Sequence, residues 1–197
     1  IPDDLRKEKG YYGVGGCGGN IEWHTEADTL EVADKELLIR DMKVYGALIW
    51  RLATMEVLPL DFRATIADMH AALGEYVTAA KGHFDLNPVE DELNACLDTL
   101  MARSDISAAA LNQALVKLSR ILMPLHFARD GQFRQDPALQ VPPLPDLAAA
   151  NQIAGLPEGS LDHYFALTSL IRGRNRVIYG LREAQLIVEE LLGTVGK

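Results

Sequence analysis

Asp61-Phe62-Arg63-Ala64-Thr65-Ile66-Ala67-Asp68-Met69-His70-Ala71-Ala72-Leu73-Gly74-Glu75-Tyr76 carries its large apolar residues at 62, 66, 69, 73 and 76. Steps of three and four residues place all five on one face of a 3.6-residue helix. Asp61 stands where a carboxylate can cap the free N–H groups of the first turn, and Gly82 is the stop.

The same reading extends in both directions. Downstream, Asn87-Pro88-Val89-Glu90 is a helix start: a cap, a proline in the first turn and a glutamate at the capping-box position. Leu93, Leu97 and Leu100 continue it, and Ser104 or Ser107 restarts a helix bearing Leu111, Leu115, Leu118 and Leu122. Between Met123 and Pro145 the helical pattern fails. Pro124, Pro137, Pro142, Pro143 and Pro145 predict a long extended connection there. Helical signals resume at Asp146–Ala154 and from Ser160 to about Leu192, with Gly173 a candidate break in the last stretch. Upstream, Asp34 is the cap of a helix with Leu38, Met42, Tyr45, Ile49 and Leu52 on one face, closed by Pro59. Residues 1–33 are irregular, with five glycines between Gly13 and Gly19, and Ile21–Thr25 reads as a short strand or strand end. The expected architecture is mainly α, a bundle of four or five helices behind one further long helix.

Bulk properties narrow the function. The 197 residues hold 19 basic against 28 acidic side chains, a formal net charge of −9. Phosphate binding needs a surplus of Lys and Arg, so nucleic acid is not the expected partner, and a basic membrane-surface helix is equally disfavoured. Cys17 and Cys96 form no C-x-x-C, which excludes a thiolate zinc cluster. No apolar run approaches the ~20 residues that span a bilayer. With Ile1 at its head, the chain is expected to be a piece of a longer polypeptide.

Three stretches could carry chemistry. Gly13-Val14-Gly15-Gly16-Cys17-Gly18 formally matches the dinucleotide fingerprint, but Asn20-Ile21-Glu22-Trp23-His24 follows where a helix N-terminus is required. A turned loop leading into a site is the better reading. Glu22-Trp23-His24-Thr25-Glu26-Ala27-Asp28-Thr29 sets one imidazole among carboxylates, the kind of group that binds zinc with its second nitrogen oriented by an acid. No H-E-x-x-H occurs. Arg172, Arg174 and Arg176 form a basic cluster that reads chiefly as salt-bridge partners for the acidic surface.

His24-Thr25-x-x-Asp28-Thr29, behind a glycine-rich loop and ahead of a long amphipathic helix, resembles the last metal-binding element of the co-catalytic zinc aminopeptidases and glutamate carboxypeptidases. Val57-Leu58-Pro59-Leu60-Asp61-Phe62-Arg63 is similar to the segment that opens the helical domain of glutamate carboxypeptidase and the transferrin receptor. The likeness spans essentially the whole chain and is most specific over residues 19–63. It implies that residues 1–58 are the C-terminal end of an α/β zinc-peptidase domain and residues 59–197 a transferrin-receptor-like dimerisation domain. It places His24 as the ligand of one of two zinc ions and Asp28 as a support of its loop. The other ligands and the general base would lie upstream, so the 197 residues alone are expected to be inactive, with a peptide as the whole protein's substrate. Trp23 stands where the carboxypeptidases carry an oxyanion-supporting tyrosine, and no Lys-Tyr pair is present to grip an acidic side chain. Relatives are secreted, periplasmic or anchored by an N-terminal helix. Receptor-type relatives keep the architecture without working zinc sites, so a non-catalytic dimerising module is the alternative implication.

Overall fold

In the computed structural model, which describes residues 22, 25–101, 106–129 and 141–193, Asp34, Asp61 and Ser107 cap helices as expected, whereas Asn87 is not a cap but the first residue of its helix, its N–H donating to Asp85 Oδ1 at 3.0 Å. The Asp34 carboxylate accepts from the backbone N–H groups of Glu36 and Leu37 at 2.8 and 3.0 Å and opens α1, Lys35–Thr54. Asp61 accepts from the Arg63 N–H at 3.1 Å and opens α2, Phe62–Ala80. The chain leaves α2 through Lys81 and Gly82 at φ 49° and 81°, the left-handed exit that a glycine makes inexpensive. α3 is Asn87–Met101, and Ser107 caps α4, Ala108–Phe127, by accepting from Ala110 N–H at 3.3 Å. A 3-10 turn at Pro145–Leu147 and the short α5, Ala150–Ile153, precede the 33-residue α6, Leu161–Gly193. Helix makes up 75% of the structure, and no strand occurs among the described residues. Glu22 and Thr25, within the stretch read as a strand, lie in turns.

The chain divides into two compact units at Met55/Glu56. In the first, no residue of α1 is buried. The second is a bundle in which α3 and α4 each pack against α6, and α2 packs against α3, α4 and α5. Its core contains Ile66, Met69, Leu73, Leu93, Leu122, Leu147, Ile153, Leu170, Val177 and Leu181. All five apolar positions of the opening stretch, Phe62, Ile66, Met69, Leu73 and Tyr76, are buried.

Two expectations are corrected. The helical pattern does not stop at Met123, because α4 runs through Pro124 to Phe127. A proline removes one donor and crowds the preceding turn, but Pro124 lies only three residues from the helix end, and its carbonyl still accepts from Ala128 N–H at 3.1 Å. Gly173 does not break the final helix. An ideal Cβ there would stand 2.1 Å from the Asp146 carbonyl oxygen, so the missing side chain is what lets the 3-10 turn lie directly on α6. Gly180, two turns on, admits the Leu125 side chain in the same way.

Candidate functional site

The first candidate region is the turn that leads into α1. Thr25 Oγ1 donates to the Glu22 carbonyl at 2.7 Å and accepts from Ala27 N–H at 3.1 Å, while Asp28 N–H donates to the Thr25 carbonyl at 3.2 Å. A threonine folding its own backbone in this way is a local turn device. The side-chain bonds that close the turn therefore come from Thr25. The exposed Asp28 carboxylate makes no hydrogen bond among the described residues. His24, Trp23 and the glycine-rich stretch lie outside the described residues, so no ligand geometry is assigned to them. Among the described residues no three His, Cys, Asp or Glu side chains converge to hold a metal ion, and the described residues do not make a zinc site by themselves.

The second region is the segment 56–63, which opens the bundle. Asn112, on α4, accepts from Leu58 N–H through Oδ1 at 2.8 Å and donates from Nδ2 to the Glu56 carbonyl at 2.9 Å. One amide side chain thereby satisfies a donor and an acceptor of an extended segment, as a neighbouring strand would. Asp61 is further held by Arg63, with Nε at 2.7 Å and Nη2 at 2.5 Å, a bidentate charge-assisted pair. The caps could be read from local spacing. Asn112 could not, because its partners lie 54 and 56 residues away.

The third region is the proline-rich connection where it meets the bundle. The Tyr76 hydroxyl donates to the Pro143 carbonyl at 2.7 Å, and Leu144 N–H donates to the His126 carbonyl at 3.1 Å. Arg176 pairs with Asp146 at 2.7 Å, one turn beyond Gly173. Burial raises the Asp146 pKa despite the attraction of Arg176, which acts the other way. Arg174 lies 5.1 Å from the centre of the Phe84 ring and donates to the Asp85 carbonyl at 3.3 Å. Arg176 thus makes the kind of salt bridge expected of the cluster, while Arg174 is held instead by an aromatic face and a backbone carbonyl. The third, Arg172, is exposed.

The remaining reactive groups are quiet. Cys96 is buried, and desolvation, with Glu92 adding to it, pushes its thiol up to about 11, so it carries no thiolate near neutral pH. His163 contributes its backbone N–H to Ser160 Oγ at 3.1 Å at the start of α6, which accounts for the Asp162-His163 pair as a helix entry. His126 is buried with no partner for Nδ1, and desolvation lowers its pKa against a smaller opposing pull from Asp68. A buried imidazole held neutral is destabilising once the unfolded chain can charge. The stability it permits is present above the ordinary histidine value of 6.5 and is lost as pH falls through the depressed folded value. The expected result is a steeper fall in melting temperature between pH 7.5 and 5.5 for the native chain than for His126→Gln; parallel falls would contradict it.

The described residues form a helical bundle, preceded in the chain by α1 and its entry turn. Comparison with protein-family models, curated proteins and solved structures finds no match to this chain.

Proposed function

We propose that this chain is the C-terminal part of a zinc-dependent exopeptidase of the glutamate carboxypeptidase and transferrin receptor type. Residues 1–58 would end its α/β catalytic domain, and the helical part would associate it as a homodimer. The observation that carries the reading is the succession of His24-Thr25-x-x-Asp28-Thr29, a long helix, and a bundle opening at Val57-Leu58-Pro59-Leu60-Asp61-Phe62-Arg63. The character of α1 supports it. Leu37, Leu38, Met42, Val44, Tyr45, Leu48, Ile49, Trp50 and Leu52 are all exposed and lie on more than one side of the helix. A helix apolar on most of its circumference belongs inside a larger body, as the helices flanking a peptidase sheet do.

In that reading His24 supplies one imidazole ligand, Asp28 supports the loop that carries it, and the indole N–H of Trp23 stands at the rim as a single donor. Zinc, when bound, supplies a Lewis acid and a water acidic enough to attack a peptide carbonyl near neutral pH. One histidine cannot hold such a site, which needs about three protein ligands. The purified 197-residue chain, supplied with zinc and a panel of peptides with free ends, is therefore expected to release no amino acid, while the longer polypeptide that contains it does. Hydrolysis by the 197 residues alone would refute the assignment of the catalytic machinery to upstream sequence. A longer polypeptide that binds no zinc but still dimerises would favour the receptor-type alternative.

A further inference from the structure

The last turn of α4 carries a buried imidazole. His126 is 3% exposed, and its Nδ1 makes no hydrogen bond among the described residues. A helix end leaves its last carbonyls without intrahelical donors. The His126 carbonyl is one of these, and the Leu144 N–H, arriving from the far end of the proline-rich connection, satisfies it at 3.1 Å. Leu144 is itself fully buried, and the Tyr76 hydroxyl holds the preceding carbonyl, that of Pro143, at 2.7 Å. The end of the connection is thus pinned by α2 and α4 at two adjacent residues. Leu144 is pinned in the left-handed conformation, φ 48° and ψ 56°, which is strained for a residue that carries a Cβ.

We propose that this junction is an acid-released latch: protonation of His126 frees Pro143 and Leu144 from the bundle while the helices stay packed. The charges around the ring set the direction. Asp68, on α2, favours the charged imidazole, and so does the dipole of α4, whose C-terminal turn the ring occupies. Tyr76, also on α2, stays neutral near neutral pH because burial raises its hydroxyl further. On the 3-10 turn Asp146 is paired with Arg176 of α6. The α6 residues buried around Gly180, which admits Leu125, are Val177 and Leu181 and carry no charge. Arg129, just past the end of α4, is exposed. Burial opposes Asp68 and the dipole and prevails, holding the folded imidazole below its ordinary value of 6.5. Lifting Leu144 away relieves its backbone strain and lets water reach the ring, while Asp68 and the α4 dipole remain. The opened junction therefore takes up a proton that the closed one refuses. The closed form keeps its full advantage above pH 6.5 and loses it as pH falls, by up to about tenfold per pH unit until the depressed folded value is reached.

Amide exchange of the 197-residue chain reads the latch, once corrected for the intrinsic pH dependence of exchange. The Leu144 N–H is expected to open more readily than the Leu181 N–H inside α6 at every pH, since the latch yields without the core. Its opening constant should rise roughly three- to tenfold between pH 6.5 and 5.5, and His126→Gln should flatten that rise. Tyr76→Phe, which removes the bond to Pro143 and no titrating imidazole, should raise the opening constant roughly fivefold at both pH values and leave the slope unchanged. Equal opening constants for Leu144 and Leu181 would mean that the junction opens only with the whole bundle, and they would overturn the proposal. So would a Leu144 opening constant in the native chain that is the same at pH 6.5 and 5.5, a result that depends on no variant.

Discussion

Gly173→Ala is expected to destabilise the bundle by about 3 kcal/mol or more, the largest loss from a glycine-to-alanine change among the described residues. The added carbon would sit 2.1 Å from the Asp146 carbonyl oxygen and 2.8 Å from its carbonyl carbon, both backbone atoms. A flexible side chain could swing aside, but this backbone is tied. Arg176 holds the Asp146 carboxylate, and Leu147, two residues from Pro145, is fully buried. Alanine is intrinsically the better helix former by about 1 kcal/mol, so the clash must outweigh that gain. Gly74, inside α2, separates the two effects, because nothing lies within 4 Å of a Cβ built there. Gly74→Ala should stabilise by up to about 1 kcal/mol. Urea unfolding of both variants checks the pair, with labelling of the buried Cys96 thiol as an independent report of opening. Equal stability of the two variants would contradict the close approach of the 3-10 turn to α6.

Leu181→Ala is expected to cost about 2–5 kcal/mol, while Leu186→Ala, five residues along the same helix, leaves unfolding within about 0.5 kcal/mol of the native chain. Leu181 is fully buried among α6's inward residues, so truncation removes its transfer free energy and leaves a cavity that packed neighbours cannot close. Leu186 is 58% exposed, and its truncation gives up little within the bundle. A similar loss for both variants would mean that α6 does not divide into a core stripe and an outer stripe.

Local chemistry was legible in the sequence, and long-range chemistry was not. Asp34 and Asp61 announced two helix starts, a third was narrowed to Ser104 or Ser107, of which Ser107 is the cap, and the spacing of Phe62, Ile66, Met69, Leu73 and Tyr76 announced the face that α2 buries. Those signals act within one or two turns, so spacing alone exposes them. Gly173 reads as a helix breaker because its propensity is poor, yet packing along α6 outweighs about 1 kcal/mol of propensity. Pro124 reads as the end of a helix, and it is tolerated because so little of α4 follows it. Asn112 is unremarkable in sequence, and nothing in the spacing of Tyr76 or Arg176 names the partner of either. Their partners, Leu58, Pro143 and Asp146, are brought to them only by the folded chain. The proposal of His24 as a zinc ligand rests on the resemblance around it. Of that stretch the structure contributes the Thr25-closed turn and the exposed Asp28, while His24 lies outside the described residues.

The assignment of His24 to a zinc-peptidase site is tested most directly on the longer polypeptide that the proposal requires. Its zinc content and its release of terminal amino acids would be measured beside those of His24→Ala. The proposed role predicts two zinc ions per native chain, with His24→Ala losing zinc and at least a hundredfold in activity, more than the loss of an outer-shell group would produce. A variant that keeps both its zinc and its activity, or a native polypeptide that holds no zinc, would contradict it.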